Sequence, residues 1–276
     1  LKLELQQLTA RHPAASADAP AALQGLDLLI QSGEQVAVIG PSGAGKTTLM
    51  QIMSCALRPV AGTLKLAGTD PWALSTRELQ ALRGRLFLAP QVPPLPPRQR
   101  VVTSVLAARL PQMGLLQSIR SLLYPIDLSG AHQALGRLDM ADKIFERVDR
   151  LSGGERQRVA LARSFLSPAK LWLVDEPLSA LDPARARTVM AALTGHAREQ
   201  GITLVATLHQ VDAALQYFPR VIGLRQGRIA FDRPASAVSP ELLARLYEDH
   251  EGELTSDQPA ALPEEPIAVP AVMHCR

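Results

Sequence analysis

The sequence predicts an α/β domain with a mainly parallel central sheet, and two features carry that expectation. Short apolar runs such as Val36 to Ile39, Leu171 to Val174 and Ile202 to Thr207 alternate with longer helical stretches, the order that parallel strands and their crossover helices produce. These runs carry no charge, which fits strands buried on both faces of a sheet.

Taken in order, Leu26, Leu28 and Ile30 alternate with Asp27 and Leu29, the pattern of a half-buried strand. Val36 to Ile39 runs into a glycine-rich loop, and a helix is expected from Lys46 to about Leu57. Gly62 and Gly68 bracket Thr63 to Leu66, an antiparallel strand. Leu86 to Ala89 is a further strand leading to Pro90 and Gln91, and four prolines within residues 92–97 exclude a regular element there. From Val101 to Val148 the pattern is helical, with breaks expected at Pro111, Pro125 and Gly130. Helices are expected near 153–167 and 184–200. Strands near 220–225 and 228–232 form a hairpin about Gln226-Gly227, and a last helix lies near 239–247. Beyond Glu251 the chain is rich in Pro, Ala and Glu with little periodicity, the composition of a disordered tail.

Composition narrows the function classes. A chain of 276 residues can bury a full core without disulfides or a structural metal. Its two cysteines, Cys55 and Cys275, have no metal-ligand spacing. Cys55 reads as inert core and Cys275 as exposed, both free thiols of a reducing compartment. Twenty-nine Lys and Arg against 26 Asp and Glu leave a net charge of +3, and no basic run suggests a nucleic-acid partner. No uncharged apolar stretch reaches the about 18 residues that a bilayer span requires. Leu1-Lys2-Leu3-Glu4 lacks the apolar region of a secretory signal. Any membrane role is therefore expected to come through a partner, with the site facing the cytosol.

Gly40-Pro41-Ser42-Gly43-Ala44-Gly45-Lys46-Thr47 fits the P-loop pattern. Its glycines let the backbone curl so that several N–H groups converge on phosphate oxygens, and the following helix adds the positive end of its dipole. Lys46 is expected to reach the β- and γ-phosphates, Thr47 to ligate Mg²⁺, and Thr48 to complete the nucleotide-binding set. Leu171 to Val174 ends in Asp175-Glu176. Carboxylates at the C-terminal end of a central strand lie where ligands bind in such sheets. Asp175 suits the Mg²⁺ shell, through water, and Glu176 suits a general base for the attacking water. Alone, the pair could equally be a solvated acidic turn; with the P-loop in the same chain it is read as catalytic.

Four further segments complete a resemblance. Leu151-Ser152-Gly153-Gly154-Glu155 followed by Arg156-Gln157-Arg158 looks like the signature motif of ABC ATPases. Gln91 resembles the Q-loop glutamine, Ser179-Ala180-Leu181-Asp182 the D-loop, and His209 the switch histidine. Within that family, Leu208-His209-Gln210-Val211-Asp212, Val221 to Ile229, Phe231-Asp232, Val105 to Leu110 and Arg120 to Leu123 resemble the ATPase subunits of phosphonate importers.

The resemblance implies a P-loop ATPase domain over residues 1–250, with an antiparallel β subdomain and a helical subdomain at about 92–168, and a tail at 251–276. It implies ATP and Mg²⁺ as cofactors, with Gln91 joining Thr47 and Asp175 at the metal and Gln91, Glu176, His209 and Lys46 in catalysis. It implies a homodimer in which Ser152, Gly153 and Gly154 of one subunit complete the nucleotide site of the other. The partners implied are transmembrane permease subunits and, indirectly, a periplasmic solute-binding protein, with the chain peripheral on the cytoplasmic face of the inner membrane. A soluble ABC ATPase and an importer subunit for another solute are the alternatives. Two segments depart from the family pattern. His12 stands where an aromatic residue usually stacks on adenine, beside the insertion-like Ala14 to Ala22, and Val92-Pro93-Pro94-Leu95-Pro96-Pro97 is stiffer than its counterparts.

Overall fold

The uncharged runs become the inner strands of a six-stranded sheet, because each presents apolar side chains to both faces. In the computed structural model, which describes residues 1–12, 20–124 and 126–248, these strands are β3 (Gln35–Ile39), β6 (Leu171–Asp175) and β7 (Thr203–Thr207). Every residue of all three is buried. Trp172 and Val174 join one apolar cluster with Ala37 and Ile39, whereas Leu171 and Leu173 join a second with Val36 and Val38. The two-residue period of a strand thus divides the core between the two faces.

Six more strands and nine helices fill in the described residues. β1 (Leu3–Ala10), β2 (Leu23–Ile30) and β4 (Ala61–Leu66) form an antiparallel sheet in the order β2-β1-β4. β5 (Leu86–Ala89), β8 (Arg220–Arg225) and β9 (Arg228–Pro234) complete the large sheet, ordered β5-β6-β7-β3-β8-β9. All its neighbours are parallel except the β8–β9 hairpin. α1 (Lys46–Met53) and the small sheet pack on one face. α3 (Val101–Leu106), α5 (Leu128–Gly136), α6 (Gly153–Ala162) and α7 (Pro183–Glu199) pack on the other. The remaining helices are α2 (Thr76–Arg83), α4 (Leu115–Leu123), α8 (Val211–Tyr217) and α9 (Pro240–Leu246).

Several elements differ from expectation, each for a local reason. β1 has no counterpart in the sequence reading. Its alternation slips between Leu5 and Leu8, where Gln7 takes a positive φ of 46° and pairing with both neighbours shifts. A β-bulge hides a strand from any two-residue pattern. α1 stops at Met53, short of Leu57. Cys55 is left-handed (φ 59°), with Ala56 N–H bonded to the Gln51 carbonyl and Cys55 N–H to that of Ile52, the double bond of a Schellman stop. Gly130 does not break a helix. It lies in the first turn of α5, where its N–H bonds the capping Asp127 at 2.8 Å. α2 is unanticipated, although Ser75 and Glu78 form a full capping box before it. α8 is likewise unanticipated. Cys55 is buried, and burial pushes its thiol up to about 11, as inert core requires. Pro125, most of the Ala14–Ala22 segment, Cys275 and the tail beyond Glu251 lie outside the described residues. Among the described residues no helix is long and apolar enough to cross a membrane.

Trp172 ties the layers together. It is fully buried, stacks on His196 of α7 at 5.6 Å and meets Phe165 edge-on at 5.9 Å and Phe87 of β5 at 6.3 Å. Trp172→Ala is expected to lower unfolding stability by about 3–5 kcal/mol, read by urea denaturation. A loss within error of zero would contradict this packing.

Candidate active site

The chain leaves β3 at Ile39 and turns through Gly40 to Gly45 into α1. Gly40 lies so close to β8 that a side chain there would collide with the Leu224 carbonyl. The residue capping α1 is Gly45, which supplies no side-chain cap, and the first turn holds no acidic residue. The N–H groups that open α1 are therefore left for an anion. Lys46 is buried, and its Nζ donates to the carbonyls of Gly40 (2.7 Å) and Pro41 (3.1 Å). Ser42, Gly43 and Thr47 face solvent, and a side chain on Gly43 would meet nothing within 4 Å. The loop thus has an open mouth with a cation behind it. Thr48 is buried.

Parallel pairing sets the C-terminal ends of β5, β6 and β7 side by side, and each end contributes one group. Glu176 follows β6, nearly buried, with its backbone left-handed at φ 49°. One carboxylate oxygen accepts from Gln91 Nε2, just after β5, at 2.7 Å. The other accepts from His209 Nε2, just after β7, at 2.6 Å. Asp175, the last residue of β6, accepts from the Thr207 hydroxyl at 2.5 Å, with the Thr47 side chain close enough to favour its charged form. Burial pushes the Asp175 carboxyl above its ordinary range, while the Thr207 and Thr47 hydroxyls and the Lys46 charge pull it back. Thr47 thus sets the phosphate loop beside the acidic strand.

Ser152, Gly153 and Gly154 start α6. Ser152 caps the helix, accepting from the Glu155 N–H, and Glu155 in return accepts from the Ser152 N–H at 2.8 Å. That bond holds the Glu155 carboxylate below its ordinary range. The Ser152 hydroxyl accepts from the Glu155 N–H within the box. A side chain on Gly154 would come within 2.7 Å of the Ala180 carbonyl, so this turn abuts Ser179 to Asp182. Ser179 in turn donates to the Glu176 carbonyl at 3.2 Å, and Asp182 caps α7. His12 is exposed beyond the end of β1.

Oxygen donors at Thr47 and Asp175 suit a hard divalent cation. Among the described residues no group of three or more His, Cys, Asp and Glu could hold a metal unaided. A cation here fits as one shared between protein oxygens and a ligand's phosphates. Residues 23–179 match the ABC transporter family. The chain belongs to that family. It is 60% identical to a phosphonates import ATP-binding protein of Polaromonas sp., over the whole of both chains. It is 57% identical to a second, of Albidiferax ferrireducens, again over the whole of both. Among solved structures it is similar to the dimeric ATP-binding cassette MJ0796 in a post-hydrolysis state bound to ADP and Pi. That likeness has a TM-score of 0.72 and 25% identity, over 84% of this chain and 98% of the other. CbiO1 of Clostridium perfringens shares the fold, with a TM-score of 0.70 and 24% identity over 89% and 94% of the chains.

One site residue escaped the sequence reading. Thr207 is fully buried, and its hydroxyl donates to Asp175 while accepting the Glu176 N–H at 2.9 Å. Its only signal is a hydroxyl at the end of an otherwise apolar strand, next to one that ends in carboxylates. Thr207→Val keeps the shape and deletes the bridge. It is expected to lower stability by about 1–3 kcal/mol, with Thr207→Ser restoring most of it. A Val variant as stable as wild type would contradict the bridge.

Proposed function

We propose that this chain hydrolyses ATP as one half of a head-to-tail pair, and that hydrolysis powers import of phosphonate, or a related phosphorus oxyanion, through transmembrane permease subunits. The observation that carries the hydrolytic reading is the Glu176 carboxylate, gripped by Gln91 and His209 beside the phosphate loop. The solute is read from the full-length likeness to two proteins named for phosphonate import.

In this reading the residues Gly40 to Thr48 receive the triphosphate, with Ser42 and Gly43 at the open mouth. Lys46 exchanges its two carbonyl partners for phosphate oxygens. Thr47 and Asp175, with Gln91 nearby, would hold Mg²⁺, which supplies charge neutralisation to the β- and γ-phosphates. The Ser152 hydroxyl and the Gly153 and Gly154 N–H groups of the partner subunit close over the γ-phosphate. A water then attacks the γ-phosphorus and gives its proton to Glu176, while the bond to the bridging oxygen breaks, leaving ADP and phosphate. His209, held to Glu176 at 2.6 Å, fixes that carboxylate in position. His12 would lie beside the adenine.

Residues 1–250 form the ATPase domain, the helical stretch at about 92–168 faces the permease, and residues 251–276 are a dispensable tail. On α4 and just beyond it, Leu115, Leu116, Ile119, Tyr124, Ile126 and Leu128 are all exposed. So much apolar surface on one short stretch fits a protein partner. The subunit would then sit on the cytoplasmic face of the inner membrane, with a periplasmic solute-binding protein as an indirect partner and no nucleic acid.

Glu176→Gln is expected to bind ATP but to slow hydrolysis by about 10²–10⁴-fold. The stalled protein should run as a dimer with Mg-ATP in size-exclusion chromatography, and a monomeric variant that still turns over would overturn the base and the pairing together. Lys46→Ala is expected to lose ATP binding in equilibrium dialysis. Wild-type affinity there would remove the phosphate loop from the account.

A further inference from the structure

The β8–β9 hairpin has no part in the chemistry above, yet its tip touches the phosphate loop. Gln226 and Gly227 are both left-handed, at φ 49° and 72°, as in the tight turns that match strand twist. The Gly227 N–H donates to the Ala44 carbonyl at 3.0 Å, and the Gly227 carbonyl accepts from the Gln24 N–H at 2.8 Å. Arg228 reinforces the second link by donating to Gln24 Oε1 at 3.1 Å. The Ala22 carbonyl is wedged between two glycines. A side chain on Gly45 would come within 2.6 Å of it and one on Gly227 within 2.5 Å.

The bond to Ala44 has a consequence for phosphate binding. A phosphate-binding loop must turn its N–H groups toward the anion and its carbonyls away. In a trans peptide the carbonyl and the next N–H point in opposite directions, and no cis bond occurs among the described residues. Fixing the Ala44 carbonyl to the hairpin therefore aims the Gly45 N–H to the opposite side. Lys46 does the same for the carbonyls of Gly40 and Pro41 only from within the loop, so the hairpin is a brace from outside it.

We propose that Gly227 is a positioning residue for nucleotide binding: through the Ala44 carbonyl the hairpin tip sets the orientation of the Ala44–Gly45 peptide, and so one N–H donor of the phosphate loop. This rests on the reading of Gly40 to Thr47 as the phosphate site. The requirement at Gly227 is double. The residue needs a positive φ, and it needs the absence of a side chain against Ala22 and Leu23. Gly68 separates these two demands. It has a φ of 82°, but a side chain there would meet nothing within 4 Å, and it sits in the turn after β4.

The test compares Gly227→Ala with Gly68→Ala in the full-length chain, reading radiolabelled Mg-ATP binding by equilibrium dialysis and thermal midpoint in parallel. Gly227→Ala is expected to weaken ATP binding about tenfold, the scale of one hydrogen bond to a charged group. Gly68→Ala is expected to bind like wild type despite its own loss of thermal stability. Equal weakening in both variants, or none in Gly227→Ala, would overturn the proposal. Should Gly227→Ala not fold, amide hydrogen exchange in the wild type decides the matter. Saturating Mg-ATP should slow exchange at Gly227 together with the amides of Gly43 to Lys46, and a Gly227 amide that does not respond while the loop amides slow would overturn it. A wild-type chain that binds no ATP would instead remove the phosphate reading itself.

Discussion

The arrangement depends on holding one buried carboxylate at the edge of an apolar sheet between two side-chain partners. Glu176 follows a strand with no exposed residue, where an unpaired anion would be costly. The cost is met by donors on either side, Gln91 from the end of β5 and His209 from the end of β7. Both donors sit there because the strands are parallel and adjacent, so their C-terminal ends coincide. The positive φ of Glu176 is a second cost. It is held by the Glu176 N–H, which bonds both the hydroxyl and the carbonyl of Thr207.

The same constraint links the separate motifs into one machine. Asp175 lies beside Thr47 at the start of α1, so the acidic strand and the phosphate loop meet at one place. From Glu176 the chain passes Ser179 and Ala180, against which Gly154 packs. A shift at the signature turn would thus press on the segment that leaves the Glu176 carboxylate. In the proposed pair that turn serves the partner's nucleotide, so closing one site bears on the other. The apolar patch about α4 lies within the helical segment between β5 and β6, one end of which is Gln91. In the proposed complex, contact with a permease and contact with Glu176 would meet on one connection.

Much of this was legible in the sequence, for physical reasons. Short uncharged runs read as buried strands, so β3, β6 and β7 stood out, and the loop after β3 and the carboxylates at the end of β6 followed from them. Gln91, Ser152 and His209 were legible only as members of an ordered set, since a lone glutamine or histidine at a strand end carries no signature of its own. What stayed hidden depended on backbone geometry or on long-range contact. The bulge at Gln7 concealed β1, and the left-handed Cys55 ended α1 a turn early. Thr207 looked like an ordinary strand residue until β6 and β7 were paired. The brace at Gly227 needed β2, β9 and the loop in one place.

The central claim, that this sheet edge is an ATP-driven engine coupled to phosphonate uptake, is tested most directly by reconstitution in lipid with the cognate permease and solute-binding protein. ATPase rate would be measured with phosphonate, phosphate, phosphite and an amino acid offered in turn. The account predicts stimulation by phosphonate or a related phosphorus oxyanion, which Gln91→Ala reduces more than it reduces the basal rate. Stimulation by the amino acid alone would contradict the solute, and stimulation by DNA or ribosomes without any response to the permease would contradict the transport role.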